Sequence, residues 1–113
     1  AGEGRRVAAV LPVHLGGRMV ELGGLRALAA TRGAAVVEDA AHALGSADAD
    51  GRAGDNGRSD YACFSLHPVK TIAAGEGGMI TTAEAEAAER MRRLANQGVT
   101  REAMSDRALS FDA

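Results

Sequence analysis

Lys70 is the residue of this sequence best suited to covalent chemistry. The chain has 13 Lys and Arg residues, and Lys70 is the only lysine among them. An arginine stays protonated at any working pH, whereas a lysine amine can lose its proton and attack a carbonyl carbon. Lys70 also lies between an apolar run at Tyr61–Leu66 and a glycine-rich turn at Gly75–Gly77. We interpret it as a lysine that forms a Schiff base, with an ordinary surface lysine as the alternative.

Three other polar side chains are candidates for the same site. Asp39 and His42 follow an apolar run that ends at Val37, and Ser65 lies near the end of Tyr61–Leu66. Ligands of open α/β sheets bind beyond the carboxyl ends of the strands, so these positions favour a binding site. The alternatives are that Asp39 caps a helix and that His42 is an ordinary half-buried ring.

The first half of the chain predicts a β-α-β unit with parallel strands and a right-handed crossover. The apolar run Val7–Leu11 is typical of a strand buried on both faces, and Pro12 marks its end. Apolar residues recur at helical spacing over Arg18–Arg32, and Gly33 is placed to end that helix. Ala34–Val37 is the predicted second strand.

The second half predicts an antiparallel pair of strands and then a helix. The strands are Tyr61–Leu66 and Gly77–Thr82, and the short connection between them favours antiparallel pairing. Thr81 and Glu84 have the spacing of a capping box. An amphipathic helix is predicted over Glu84–Gln97, with acids early and arginines late, as the helix dipole favours.

Two other segments are predicted to lack regular structure. Ser46–Ser59 is polar and glycine-rich, so we predict a surface loop. Its acids resemble a calcium loop, but no Glu closes it at the required position. Val99–Ala113 shows no clear period.

Composition limits the class of protein. With 113 residues and 46% apolar residues, the chain is at most one globular domain. A net charge of −2 does not favour nucleic acid or an anionic membrane, and no run is long enough to cross a bilayer. The one cysteine, Cys63, fits a reducing compartment, so we expect a cytoplasmic protein. No close ligand pair has the spacing of a recognised metal site, so we predict no metal.

A lysine, a carboxylate and a hydroxyl in one crevice suit pyridoxal phosphate. The carboxylate of Asp39 would keep the pyridine nitrogen protonated, so that the ring can take up carbanion charge. The hydroxyl of Ser65 could bind the phosphate. The amine of Lys70, once free, could move a proton between the substrate and the cofactor.

Several segments carry a resemblance to a known family. They are Val13–Gly17, Val36–Gly45, Phe64–Lys70, Gly75–Thr82 and Arg93–Gly98. Together they resemble the DegT/StrS-type sugar-nucleotide aminotransferases, which are fold type I pyridoxal phosphate enzymes. The resemblance implies part of an aspartate aminotransferase-like large domain, an α/β fold whose sheet is mostly parallel with one antiparallel strand.

The resemblance also implies a role for each candidate residue. Lys70 would be the catalytic lysine that carries the cofactor, and Asp39 would pair with the pyridine nitrogen. His42 stands where the family has Gln or His near the ring hydroxyl. Ser65 would bind the phosphate, and Glu76 lies in a turn whose role is mainly structural.

The activity implied is transamination of a keto-sugar nucleotide with an amino acid donor, glutamate being expected. Related 3-dehydratases have His in place of the lysine, so Lys70 favours transamination. The residues of these motifs look most like those of the family branch that makes UDP-4-amino-4,6-dideoxy-N-acetyl-β-L-altrosamine for pseudaminic acid. The family also implies a homodimer.

Members of this family are much longer than 113 residues. We therefore expect residues 1–113 to be a central fragment of the cofactor-binding large domain, without the N-terminal part and the C-terminal small domain. Such a fragment is expected to be inactive alone.

Three other functions are alternatives to this assignment. One is a relative that acts as a pyridoxal phosphate-dependent sugar dehydratase. Another is a non-catalytic α/β interaction module, which leaves the single lysine unexplained. A receiver domain is disfavoured because its acid pair should follow the first strand, which here ends in Pro12, Val13 and His14.

Overall fold

The computed structural model describes residue 4 and residues 6–98. The chain divides into two compact units, Ala1–Ala83 and Glu84–Ala113. The elements are β1 (Ala9–Val10), α1 (Gly23–Ala30), β2 (Ala35–Asp39), β3 (Ala47–Asp48), β4 (Gly51–Arg52), β5 (Tyr61–Ser65), β6 (Gly78–Thr81) and α2 (Ala85–Ala95), with a 3-10 turn at Leu15–Gly17. The prediction for Val99–Ala113 lies outside the described residues.

The first unit is built on a four-stranded sheet with the strand order β1-β2-β5-β6. β1 pairs with β2 in parallel, and β2 pairs with β5 in parallel. β5 and β6 are antiparallel, as their short connection predicted. The predicted class is confirmed: an α/β fold whose sheet is mostly parallel with one antiparallel strand.

The first strand is shorter and more exposed than predicted. Only Ala9–Val10 forms β1, and Val7 and Leu11 beside it are 38% and 63% exposed. β1 is an edge strand of the sheet, so within the described residues it pairs with a strand on one side alone. The expectation that Val7–Leu11 is buried on both faces is therefore wrong for this chain.

α1 begins at Gly23, five residues later than the predicted Arg18–Arg32. The backbone N–H groups of Gly23 and Gly24 donate to Glu21 Oε1 at 2.6 and 3.2 Å. The carboxylate thus accepts from N–H groups that the first helical turn cannot satisfy internally, and this fixes the start of the helix. Gly33 follows the end of α1 with φ 58°, as predicted for a terminating glycine.

The segment Ser46–Ser59, predicted as a surface loop, contains the short hairpin β3–β4. Asp48 Oδ1 accepts the backbone N–H groups of Asp50 and Gly51 at 3.0 and 3.1 Å, which closes the turn between the two strands. Each strand has two residues. A strand of that length is too short for alternation to be detected in the sequence.

The core of the first unit is built mainly from small side chains. One buried cluster consists of Ala40, Ala43, Ala62 and Phe64, with Leu44 and Ala53 packed against it. Leu22, Ala29 and Val36 are also buried. The cluster joins the buried face of β5 to residues that follow β2.

The second unit contains α2, whose extent agrees with the prediction to within two residues. The predicted capping box is wrong. Glu84 is the N-cap residue but makes no side-chain cap hydrogen bond. The hydroxyl of Thr81 donates instead to the carbonyl of Gly54 at 3.3 Å.

α2 ends in a left-handed turn that contains a glycine. Gly98, with φ 79°, donates its N–H to the carbonyl of Arg93 at 2.8 Å. The left-handed turn begins one residue earlier, at Gln97, with φ 58°. No helix in the described part of the chain is both long and apolar enough to span a membrane.

Candidate active site

The two central strands, β2 and β5, each have one buried and one half-buried face. The buried face carries Val36, Glu38, Ala62 and Phe64. The register pairs Asp39 with Cys63. Because side chains alternate along a strand, Asp39, Cys63 and Ser65 share the half-buried face. Two of the predicted site residues, Asp39 and Ser65, are therefore brought together on neighbouring strands.

Asp39 is the last residue of β2 and is held firmly by its backbone. Its N–H donates to the carbonyl of Pro12 at 2.8 Å, and its carbonyl accepts the N–H of His14 at 3.0 Å. Its Oδ1 accepts the N–H of Ala41 at 3.1 Å. The chain turns after Asp39 without forming a helix, so the helix-cap alternative is wrong. Within the described residues Oδ2 has no hydrogen bond or ion pair and can accept one from a ligand.

Ser65 ends β5, and its side chain starts the turn that follows. Its Oγ accepts the backbone N–H of His67 at 3.4 Å. The connection to β6 is closed at its base by a hydrogen bond of 2.9 Å from the N–H of Leu66 to the carbonyl of Gly77. The turn after Ser65 is therefore an ordered extension of the β5–β6 pair.

Lys70 lies in this connection and is half-buried. Its backbone N–H donates to the carbonyl of His67 at 2.9 Å, which makes it part of a tight turn. Its Nζ atom has no hydrogen bond or ion pair in the described part of the chain. An amino group without a hydrogen-bond partner in the described residues therefore lies in the turn after the strand that ends at Ser65.

His42 is exposed and takes part in a contact between two loops. Its Nδ1 atom accepts the N–H of Gly16 at 3.4 Å. A side chain at Gly17 would come within 3.2 Å of the carbonyl oxygen of His42, so the two backbones lie close together. His42 lies outside the two strands, in the segment that follows β2.

A buried polar network was not predicted. Glu38 Oε2 accepts from His14 Nε2 at 2.8 Å and from the N–H of Gly54 at 3.2 Å. Glu38 Oε1 accepts from the hydroxyl of Ser59. His14, Glu38 and Ser59 are 0%, 0% and 1% exposed. The signal in the sequence was the pair of acids directly after Val37, because a strand turns consecutive side chains to opposite faces and a buried acid requires partners.

Cys63 was also missed as a member of the half-buried face. Burial raises the pKa of the Cys63 thiol, and the neighbouring Asp39 carboxylate raises the pKa further. Cys63 is therefore kept in the neutral thiol form beside Asp39. No group of three or more His, Cys, Asp or Glu residues that could hold a metal ion occurs among residues 4 and 6–98.

A family model matches residues 3–110, nearly the whole chain. This chain belongs to the DegT/DnrJ/EryC1/StrS aminotransferase family. The family resemblance of the sequence motifs is thereby confirmed.

Members of this family with known names or structures resemble the chain closely. UDP-N-acetyl-3-dehydro-alpha-D-glucosamine 3-aminotransferase of Acidithiobacillus ferrooxidans is 44% identical over 94 residues, which cover 82% of this chain and 25% of the relative. The structure of DesI with its TDP-sugar product has a TM-score of 0.78 and 40% identity, covering 86% of this chain and 24% of DesI.

A third similar protein is PseC of Helicobacter pylori, an aminotransferase involved in the biosynthesis of pseudoaminic acid. Its structure has a TM-score of 0.77 and 28% identity, covering 83% of this chain and 25% of PseC. These likenesses confirm that the chain has part of the fold of the pyridoxal phosphate-dependent sugar aminotransferases. The chain spans about a quarter of the length of these relatives.

Proposed function

We propose that residues 1–113 are a central fragment of the cofactor-binding large domain of a longer enzyme, referred to as the parent protein. The parent protein transaminates a keto-sugar nucleotide with an amino acid donor, glutamate being the expected one. Membership of the aminotransferase family supports this, as do relatives whose names include a UDP-sugar or a TDP-sugar. The N-terminal part of the large domain and the small domain would lie outside this chain.

The polar groups on the half-buried face of β2 and β5 fit pyridoxal phosphate. Oδ2 of Asp39 can accept a hydrogen bond from a protonated pyridine nitrogen, and the hydroxyl of Ser65 can donate to a phosphate oxygen. The amine of Lys70 has no other partner in the described part of the chain. The family is pyridoxal phosphate-dependent, and a structural neighbour, NtdA from Bacillus subtilis, was solved with bound PMP.

The observation that carries the proposal is the placement of these three groups. Asp39 and Ser65 lie on one face at the carboxyl ends of two neighbouring parallel strands, and Lys70 lies in the turn directly after one of them. The carboxyl ends of parallel strands are where open α/β sheets bind ligands.

Each residue has a role that follows from its chemistry. When bound, pyridoxal phosphate supplies an electron sink for carbanion charge at the substrate carbon. Lys70 holds the cofactor and, when its amine is free, moves a proton to or from that carbon. Asp39 keeps the pyridine nitrogen protonated, and Ser65 binds the phosphate. His42 would contact the ring hydroxyl.

For the substrate, we propose the keto-sugar nucleotide that yields UDP-4-amino-4,6-dideoxy-N-acetyl-β-L-altrosamine, on the route to pseudaminic acid. The residues of the sequence motifs and the structural likeness to PseC support this substrate. The parent protein is proposed to act as a cytoplasmic homodimer. A panel of UDP- and TDP-linked keto-sugars, each with glutamate, tests the substrate directly.

The test of the cofactor site is to add pyridoxal phosphate to the parent protein, reduce with borohydride, and map the labelled peptide by mass. We expect the label on Lys70. The matched control is Lys70→Arg, which keeps the positive charge but cannot bind the aldehyde. No label on the parent protein, or equal labelling of the Lys70→Arg variant, would show that Lys70 is not the cofactor lysine.

A further inference from the structure

Glu38 is a fully buried carboxylate that the proposed chemistry does not use. All its partners donate to it: His14 Nε2 and the N–H of Gly54 to Oε2, and the hydroxyl of Ser59 to Oε1. A buried carboxylate is costly unless such donors surround it, so the site is built around Glu38. Glu38 precedes Asp39 in β2 and points to the opposite face of the sheet.

His14 joins Glu38 to the backbone of Asp39. The N–H of Val20 donates to His14 Nδ1 at 3.0 Å, so Nδ1 carries no hydrogen and Nε2 is the donor to Glu38. The backbone N–H of His14 donates to the carbonyl of Asp39 at 3.0 Å. The ring is therefore fixed by two side-chain hydrogen bonds while its own backbone holds Asp39.

The same segment also holds the other side of the Asp39 peptide. The N–H of Asp39 donates to the carbonyl of Pro12 at 2.8 Å, and Val13 forms a parallel bridge with Asp39. β5 holds the other side of β2 here: the register pairs Asp39 with Cys63, and the N–H of Ala40 donates to the carbonyl of Cys63 at 2.9 Å. The Asp39 peptide is thus held in part by the segment Pro12–His14, and the bond from His14 to Glu38 helps to fix that segment.

We propose that Glu38 and His14 are positioning residues for Asp39: their buried hydrogen bond fixes the Asp39 peptide, and so aims its carboxylate at the pyridine nitrogen of the cofactor. This rests on the proposed function, in which Asp39 binds that nitrogen. A displacement of a binding group by about 1 Å is enough to weaken its action strongly. The bond between Ser59 and Glu38 lies on the other carboxylate oxygen and stabilises the fold without holding Asp39.

The test compares two substitutions of His14 in the parent protein. In His14→Gln the amide nitrogen can reach the place of Nε2 and keep the donor to Glu38, whereas the contact with Val20 is lost. In His14→Asn the side-chain oxygen can keep the contact with Val20, whereas the donor to Glu38 is lost. Both variants remove the ring, so a similar packing defect is common to the two. Ser59→Ala is a control that removes the partner of the second carboxylate oxygen, Oε1 of Glu38.

Three quantities are measured for each variant: amide hydrogen exchange of the cofactor-free protein at Asp39, affinity for pyridoxal phosphate, and the absorption maximum of the bound cofactor. We expect His14→Asn to exchange faster at Asp39, to bind about tenfold more weakly, and to shift the absorption maximum in the direction given by Asp39→Asn. His14→Gln should stay within about threefold of the wild type in affinity. Ser59→Ala should lower the unfolding temperature without changing the absorption maximum.

The inference is overturned if the two His14 variants behave alike, or if His14→Asn leaves exchange and absorption unchanged while Asp39→Asn changes the absorption. If His14→Asn does not fold, a folded His14→Gln protein that loses tenfold in affinity overturns it equally. Failure of the proposed function has a different signature: Asp39→Asn would then bind pyridoxal phosphate as the wild type does, with the same absorption maximum.

Discussion

At the scale of single residues, the half-buried face of β2 and β5 places a thiol directly beside a carboxylate. Cys63 is the register partner of Asp39. Burial is the larger reason that the pKa of the Cys63 thiol is raised, and the charge of Asp39 is the smaller one. The consequence is a cysteine whose reactivity depends on the charge state of a proposed cofactor residue.

We predict that Cys63 of the cofactor-free parent protein reacts with iodoacetamide several-fold more slowly at pH 8 than it does in urea. A raised pKa lowers the thiolate fraction, and the thiolate is the reactive form. The linked stability is fully present below the thiol pKa of the unfolded chain, about 8.5, and is lost as the pH rises through the higher folded value. Mass spectrometry of the Cys63 peptide gives the rate.

Asp39→Asn is the informative variant for this prediction, because it removes the carboxylate while keeping the size of the side chain. Alkylation of Cys63 should become faster than in the wild type. A native rate equal to the rate in urea, or a slower rate in Asp39→Asn, would contradict the electrostatic account.

Asp39, Ser65 and Lys70 are candidate site residues from the sequence because each lies at or just after the end of an apolar run. The structure places Asp39 and Ser65 on one face of neighbouring strands, and their role as ligand-binding residues stays a prediction. Glu38 and His14 could not be paired, because they are 24 positions apart and their contact depends on how β1 and β2 align. No local pattern encodes such an alignment.

At the scale of elements, the hairpin β3–β4 is held by a charged pair. Arg58 donates to both oxygens of Asp48, at 2.8 and 2.9 Å. The hydrogen bond from Arg58 holds the pKa of Asp48 below its ordinary value, and it is the largest of the causes. Each strand of the hairpin has two residues, so this pair adds a side-chain link to a short backbone ladder.

We predict that Arg58→Gln raises the pKa of Asp48 towards its ordinary value of 3.8. Because the folded pKa is lowered, the pair stabilises the hairpin above the ordinary value and is lost as the pH falls through the lower folded value. Carboxyl NMR titration of Asp48 measures it. Arg26→Gln, which removes a partner of Asp60, is the control and should leave the titration of Asp48 unchanged.

A second prediction for the elements concerns Gly54, where the loop after β4 crosses the sheet. A Cβ atom at Gly54 would come within 2.7 and 2.8 Å of two ring carbons of Phe64, and its φ is 77°. Gly54→Ala should destabilise the protein by about 3 kcal/mol, from overpacking and a left-handed backbone together. Gly45→Ala is the matched control: its φ is 85°, a Cβ there would meet nothing within 4 Å, and we expect about 1 kcal/mol. Equal unfolding midpoints for the two variants would exclude the clash with Phe64.

The elements that could be predicted are those in which the pattern of residues extends over four or more consecutive positions. β5 and β6 have five and four residues and a short connection, so their antiparallel pairing followed from the sequence. The start of α1 did not follow from the sequence, because the helical spacing of apolar residues extends back to Arg18, before the two glycines Gly23 and Gly24. They are its first turn, and the side chain of Glu21 decides this.

At the scale of the whole molecule, the first unit has a small core and exposed apolar residues. The core consists mainly of alanines around Phe64. In β6, the last strand in the order, Met79 and Ile80 are 48% and 49% exposed. Ile72 and Val69, in the connection that carries Lys70, are 58% and 79% exposed. A small core combined with unpaired strand edges gives low stability to an isolated chain.

We therefore predict that residues 1–113, expressed alone, unfold at low urea concentration and do not transaminate keto-sugar nucleotides. The assays are urea unfolding by circular dichroism and transamination beside the parent protein. A cooperative transition at the urea concentration of the parent protein, with a comparable rate of transamination, would refute the proposed fragment.

The alternation of Glu38 and Asp39 across β2 has a consequence for how this sequence can vary. One acid serves the core and the next serves the half-buried face, so a shift by a single position would exchange them. An insertion or deletion between Val36 and Asp39 would bury the wrong acid and turn the other away from the half-buried face. Changes of length should therefore accumulate elsewhere in relatives, above all in the exposed turn between β3 and β4, while β2 keeps its length.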